Sequence, residues 1–331
     1  MHYRQLGQSG IEVSVVCQGG WSIVTADATW GGNDLDESIA TIRAALDAGV
    51  TFFDTAEGYG RGESEQILAR ALEGRRGEAV IASKVGGGHL AAADVRAACE
   101  RSLGHLKTDY IDLYQIHWPS RTVPLDETLG ALEALRDEGK IRAVGVSNFG
   151  TSFLSEARCT ERVVSNQLAY SLLWRAVEYE VAPACQAAGV GVLCYSPIAQ
   201  GLLTGKFASA DDVPKGRART RLFSKDRPES RHDDGGCEGE TFAALAEIRR
   251  IADDVGVPMG RLALAWLLAR PGVTAVIAGG RSADQARDNA AAADVTLDAE
   301  ILARLAEATE PVKARIGRNA DMWQTDSRME R

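Results

Sequence analysis

Four ionisable side chains stand at spacings that suit proton transfer to a carbonyl group. Residues 52–65, FFDTAEGYGRGESE, end a short apolar run in Asp54 and place Tyr59 five residues later in a glycine-rich bend. Lys84 closes the run EAVIASK, and His117 closes DYIDLYQIH. One at a time, each has an ordinary reading: Asp54 as a cap or turn residue, Lys84 as a solvent-facing strand end, His117 as a hydrogen-bonded rim residue. Together they make a proton-donating set. A free tyrosine titrates at about 10 and is a poor donor at neutral pH. A neighbouring ammonium favours the phenolate and lowers that value, and a carboxylate keeps the ammonium charged and placed. A histidine at the same spot can hydrogen-bond a carbonyl oxygen and orient it. Such a set polarises a C=O and protonates the developing alkoxide. It contains no electron source, so a reduction needs a nicotinamide cofactor.

The elements that must gather these residues are legible as alternation. VSVVCQGG, VTFFDTA, EAVIASK, DYIDLYQIH, IRAVGVS, RVVSNQ, VGVLCYS and VTAVIAGG read as strands, with amphipathic helices such as DESIATIRAALDAG and LDETLGALEALRDEG between them. Strand–helix alternation implies a parallel sheet with right-handed crossovers, and eight such units predict an α/β fold of the (β/α)8 TIM-barrel type. HYRQLGQSGIEVS, ahead of the first barrel strand, reads as an N-terminal hairpin plugging the bottom. No composition break divides the chain, so residues 1–331 are expected to form one barrel domain. A long loop after strand 7, residues 207–240, is poor in apolar residues and, from Lys215 to Arg231, locally basic, with Lys215, Arg217, Arg219, Arg221, Lys225, Arg227 and Arg231 against Asp226 and Glu229. It reads either as a mobile flap over a pyrophosphate or as a solvated loop.

In such a barrel the chemistry collects at the C-terminal strand ends. Those ends carry Asp54, Lys84, His117, Ser147 with Asn148, Gln167, and Tyr195 with Ser196. Composition narrows the partners. A net charge of −9 argues against a nucleic-acid-binding face. The six cysteines show no CxxC pair and no metal-ligand spacing, which predicts free thiols in a reducing compartment and no metal. No apolar stretch is long enough for a membrane span, and the expected location is cytoplasmic.

At these positions the resemblance to the aldo-keto reductase superfamily is plain. Asp54, Tyr59, Lys84 and His117 resemble its catalytic tetrad. GVTFFDTAEGYGRGESEQILARAL, DLYQIHWP, LRDEGKIRAVGVSNF, CYSPIAQGLLTGKF and GGRSADQARDN resemble family segments in the family's order. The likeness is to the bacterial branch that carries GYGRGESE, which the potassium-channel β subunits also resemble. It implies that Tyr59 is the general acid, that Lys84 held by Asp54 lowers its pKa, and that His117 orients a small-molecule carbonyl substrate. It also implies NADP(H) bound without a Rossmann fold, in keeping with the absence of a G-x-G-x-x-G after any predicted strand. Ser147, Asn148 and Gln167 match residues that hold the carboxamide, and Tyr195 matches the ring that stacks on the nicotinamide. Gly20, Trp21 and Asp54 fall in the same implied cofactor set. Ser196, Pro197, Gly201 and Lys206 match the pyrophosphate-binding run; Gly279, Arg281, Gln285 and Asn289 match the segment around the 2′-phosphate and adenine, beside a helix N-terminus. Ala278 stands where many relatives carry proline. Trp21, Trp30 and Trp118 are expected to wall the substrate pocket, and Trp174 and Trp323 either join them or pack elsewhere. The leading activity is NADPH-dependent reduction of aldehydes or ketones, sugar aldehydes included. A slow redox-sensing subunit and a Schiff-base lyase using Lys84 are the alternatives.

Overall fold

The structure, a computed structural model, describes residues 1–26, 31–158 and 163–330. The chain opens with an antiparallel hairpin, β1 (Tyr3–Gln5) and β2 (Glu12–Ser14). There follow β3 (Val16–Gly19), α1 (Leu35–Asp47), β4 (Phe52–Asp54), α2 (Glu63–Ala71), β5 (Val80–Val85), α3 (Ala92–Leu106), β6 (Ile111–Ile116) and α4 (Leu125–Asp137). The second half comprises β7 (Ile141–Ser147), α5 (Thr151–Arg158), β8 (Val163–Ala169), α6 (Val181–Ala187), β9 (Gly191–Tyr195), α7 (Glu238–Val255), α8 (Met259–Leu268), β10 (Val273–Gly279), α9 (Ala283–Ala291) and α10 (Ala299–Ile316). Strands β3 to β10 pair in parallel and close on themselves, β10 lying between β9 and β3. This is the (β/α)8 barrel that the alternation predicts, with helices α7 and α10, packed on each other, added to the repeat.

Parallel strands covered on both faces need apolar side chains on both. Alternate residues therefore divide between two clusters. Cys17, Phe52, Ala82, Leu113 and Leu193 gather inside the barrel with Leu6, Ile11 and Val13 of the hairpin region, which plug its lower end. Their neighbours Val16, Phe53, Ile81, Tyr114 and Val192 face the helix layer, beside Ile42, Leu68 and Leu129. The interior leaves little room at Gly145: a Cβ there would lie 2.6 Å from Ser165 Oγ and 3.0 Å from both Gln115 Cγ and Leu113 Cδ1.

Two irregular segments complete the upper face. The segment read as a loop over residues 207–240 ends three residues earlier, because α7 begins at Glu238. Its Val213, Ala218, Leu222 and Phe223 are buried, and Arg221 fastens it to residues 317–330 by bonds to Asn319 O (3.0 Å) and Asp321 O (3.2 Å). Val213 and its neighbours thus give this basic segment an apolar underside. No described helix is long and apolar enough to cross a membrane. The described cysteines, Cys17, Cys99, Cys185, Cys194 and Cys237, are free and buried; Cys159 lies outside the described residues.

Candidate active site

Strand parity carries the strand-borne site residues inward. Asp54 stands two residues beyond inward Phe52, Lys84 two beyond Ala82, and Gln115 two beyond Leu113, so all three point to the barrel axis near its upper end. Lys84 is fully buried and donates to Asp54 Oδ1 (2.6 Å), Thr55 O (2.9 Å) and Tyr59 OH (3.3 Å). The other Asp54 oxygen accepts from Gln167 Nε2 at 2.7 Å and Gln115 Nε2 at 3.4 Å. Tyr59 reaches this group from a tight bend in which Gly62 has φ 92°; a Cβ there would lie 2.3 Å from the His105 ring. The bend needs glycine for both reasons. Its phenol ring stacks on Trp21 at 6.0 Å between centroids and meets His117 edge to face at 5.8 Å.

Electrostatics assign different protonation states to these groups. Burial penalises the Lys84 ammonium, but the Asp54 carboxylate and Tyr59 more than restore it, so Lys84 titrates above its ordinary value and is charged. Burial also pushes the Tyr59 phenol up; Lys84 pulls it back, yet the result lies above the ordinary value. This corrects the expectation that the ammonium carries the phenol below its usual range, because desolvation outweighs the attraction. The phenol therefore holds its proton at neutral pH. The effect of Lys84 falls on the phenolate that remains after donation. His117 is driven down to about 3 by burial and by the Lys84 charge, so its imidazole is neutral.

Above the tetrad lies a cavity of about 640 Å³, well within the range for small-molecule sites. Tyr59 and His117 line it with Asp54, while Lys84 sits behind them. Gly20, Trp21, Ser147, Asn148, Gln167 and Tyr195 border the same cavity, as do Ser196, Pro197, Gly201, Lys206, Gly279, Arg281, Gln285 and Asn289. Asn148, at φ 61°, turns its amide to donate to His117 O (3.0 Å) and accept from Tyr195 OH (2.9 Å). Ser147 Oγ donates to Gln167 O at 3.0 Å. At the far arm, Ser282 caps α9 by accepting from Gln285 N (3.3 Å), and Gln285 Oε1 accepts from Arg281 N (2.9 Å). Asn289 Nδ2 donates to Gly279 O at 3.1 Å, and the Arg281 guanidinium reaches Gly32 O.

That arm suits a polyanion. Burial and the neighbouring Arg217 and Arg281 hold Lys206 below its ordinary value, and burial with Arg281 does the same to Arg217. Three mutually repelling cations in one cavity favour an anionic ligand. Gln200 lines the cavity at 5% exposure with neither amide atom hydrogen-bonded. It belongs to a turn with positive φ at Ser196, Ala199, Gln200 and Gly201, a conformation that gathers backbone N–H groups into anion-binding concavities. The donor set and shape therefore fit a phosphate-bearing dinucleotide.

The remaining sequence candidates separate cleanly. Trp118 lines the cavity, with the Arg328 guanidinium 3.6 Å above its ring. Trp323 also lines it, edge-on to Trp21 at 6.5 Å. Trp174 is buried elsewhere and donates to Ala320 O at 3.2 Å. Trp30 lies outside the described residues. Of the loop arginines, Arg217, Arg219 and Arg231 border the cavity, whereas Arg221 is engaged by Asp234 at 3.1 Å and by backbone carbonyls. Gln200, Gln324 and Arg328 escaped the sequence reading, since loop segments carry no periodicity that would point them inward.

Taken with this geometry, the comparisons are unambiguous about class: the chain belongs to the Aldo/keto reductase family, whose family model matches residues 15–310. It is 35% identical over 301 residues to the aldo-keto reductase YhdN of Bacillus subtilis (strain 168), covering 86% of each chain. It is 33% identical over 333 residues to the NADH-specific methylglyoxal reductase of Escherichia coli (strain K12), covering 92% of this chain and 98% of the relative. The crystal structure of an aldo-keto reductase from Klebsiella pneumoniae in complex with NADPH is similar at a TM-score of 0.74 and 31% identity, over 93% of this chain and 95% of that one.

Proposed function

We propose that this oxidoreductase reduces aldehydes or ketones to alcohols with NADP(H), with Tyr59 as the proton donor. The observation that carries the reading is a cavity-facing phenol whose hydroxyl stands 3.3 Å from a buried ammonium, below an arm lined by Lys206, Arg217 and Arg281. Bound NADPH supplies the hydride. Ser147, Asn148 and Gln167 would hold its carboxamide, Tyr195 with Gly20 and Trp21 would hold the nicotinamide, and the 196–206 run would hold the pyrophosphate. Gly279, Arg281, Gln285 and Asn289 would hold the 2′-phosphate and adenine. Neutral His117 donates an N–H to the substrate oxygen, which fixes the carbonyl against Tyr59. Tyr59 gives its proton to the alkoxide oxygen, and Lys84 stabilises the phenolate left behind. Trp21, stacked on the Tyr59 ring, and Trp118 shield that exchange from water.

Choice of nucleotide is not settled by family membership, since one relative is named NADH-specific. The paired, charge-assisted bonds that guanidinium groups make to phosphate favour the 2′-phosphate of NADPH at the Arg217–Arg281 arm. NADPH oxidation measured against a panel of aldehydes, ketones and sugars, repeated with NADH, tests the reading. Tyr59→Phe keeps the ring and removes the proton, so kcat should fall by at least about 10²-fold with nucleotide binding unchanged. A variant with near wild-type kcat removes Tyr59 from the mechanism.

A further inference from the structure

Residues 317–330 carry Trp323 and Arg328 to the cavity, and the structure shows how they are held there. Inside the segment, Asp321 organises the turn: it accepts from Trp323 N (2.9 Å) and from Arg328 Nε (2.9 Å) and Nη2 (3.1 Å). Trp323 Nε1 in turn reaches Tyr195 OH at 3.4 Å. The far end is fastened to two loops of the active-site face. Arg121, four residues after His117, donates to Ser327 O (2.6 Å) and Glu330 O (3.0 Å). The Glu330 carboxylate accepts from the backbone N–H groups of Thr151 (2.7 Å) and Ser152 (3.0 Å), the first residues of α5, and from the Ser152 hydroxyl. Gly150 N donates to Met329 O at 2.8 Å. A carboxylate from 179 residues away thus does the work of a helix N-cap. That helix starts one residue beyond the run Ser147, Asn148 and Phe149, after Gly150, so the same contact joins the substrate wall to the loop after β7.

We propose that Glu330 is a positioning residue: with Arg121 it latches the 317–330 segment so that Trp323 and Arg328 form a fixed wall selecting for bulky, aryl carbonyl substrates. The inference rests on the reductase reading given above. Short aliphatic aldehydes reach Tyr59 and His117 without filling the space toward Trp118 and Trp323. Aryl substrates must pack against those indoles, and their binding depends on the wall being in place.

The test compares wild type with Glu330→Ala, Glu330→Gln and Arg121→Ala, using benzaldehyde and propanal at saturating NADPH. Opening the latch should raise KM for benzaldehyde by about five- to tenfold, the equivalent of one lost cap. For propanal KM should change by less than about twofold, within the scatter of a surface change, and kcat for both should hold. Glu330→Gln, which retains an acceptor oxygen, should fall between wild type and alanine. Amide exchange at Thr151 and Ser152 should accelerate in the Glu330 variants. A merely structural role would shift both substrates together and overturn the proposal, as would unchanged exchange at those amides. A wild-type protein that reduces neither substrate refutes the reductase reading instead. The latch is then still decided by exchange, and the wall by benzaldehyde binding titrated through tryptophan fluorescence: equal affinity in wild type and Glu330→Ala overturns it.

Discussion

Replacing Lys84 by methionine separates what the ammonium does for the fold from what it does for the reaction. The methionine chain fills most of the same buried space but carries no charge and no donor. Asp54 would keep Gln167 at 2.7 Å and Gln115 at 3.4 Å, and lose the counter-charge at 2.6 Å. Removing one partner of a buried ion pair typically costs about 3–5 kcal/mol, because the other charge remains uncompensated. The catalytic cost has a different origin. When Tyr59 gives up its proton, the phenolate oxygen stands 3.3 Å from Lys84 Nζ. Unit charges at that distance, in surroundings with an effective dielectric constant near 20, attract by about 5 kcal/mol. Losing that attraction only in the charged state slows proton transfer by about three to four decades.

The two costs can be measured apart. Lys84→Met/Asp54→Asn removes both buried charges, so it should recover most of the lost stability in urea unfolding while leaving kcat as low as in the single variant. NADPH binding, titrated by tryptophan fluorescence, should change little, since Lys84 sits behind the cavity and the cations of its far arm are untouched. A folded Lys84→Met protein with kcat within tenfold of wild type would falsify the assignment of Lys84 as the counter-charge of the phenolate. Recovery of activity in the double variant would refute it by another route, by showing that the single change acts through Asp54.

Two further outcomes follow from the charges in the cavity. Arg281→Ala should weaken NADPH binding by about 1.5–3 kcal/mol, the range for hydrogen bonds to charged groups, and leave NADH nearly unaffected; equal losses would mean that Arg281 does not read the 2′-phosphate. His117, held at about 3 when folded and free to titrate at about 6.5 when unfolded, makes the unfolded chain bind more protons between those values. Stability should therefore fall as pH drops from about 6.5 toward 3, with His117 adding at most about 1.4 kcal/mol per pH unit to the slope. His117→Gln should flatten the slope by that share, measured by urea unfolding at several pH values, and an unchanged slope would show that His117 is not buried in its neutral form.

Strand-borne chemistry was legible in the sequence because the parallel barrel imposes a period of two and a common end. Once Phe52 is taken as inward, Asp54 must be inward; the same parity carries Lys84 from Ala82. Only the bend that returns Tyr59 to them lies outside that rule, and its glycines announce it. The wall of the cavity is another matter. Trp323 and Trp174 are indistinguishable by type and both stand in loops, yet one borders the cavity and the other is buried against Ala320 O. Their fates are decided by contacts distant in sequence: Arg221 with Asn319, 98 residues on, and Glu330 with Thr151, 179 residues back. No local pattern encodes such pairs.

The error in the expected state of Tyr59 has the same root. Its neighbours were legible, and a lysine beside a tyrosine does lower the phenol's pKa. What the spacing of Lys84 and Tyr59 could not convey is how far burial of the phenol, with Trp21 stacked on its ring, outweighs the attraction of the ammonium. Desolvation is a property of everything that surrounds a group and cannot be read from one neighbour. The same enclosure resolves the apparent conflict between a raised pKa and a proton-donating role. A phenol that is protonated at neutral pH is ready to donate. The enclosure that raises its resting pKa also strengthens the attraction of Lys84 for the phenolate, since fewer water molecules screen the pair. Burial and ammonium oppose each other in the resting protein, and the ammonium's share grows as the proton leaves.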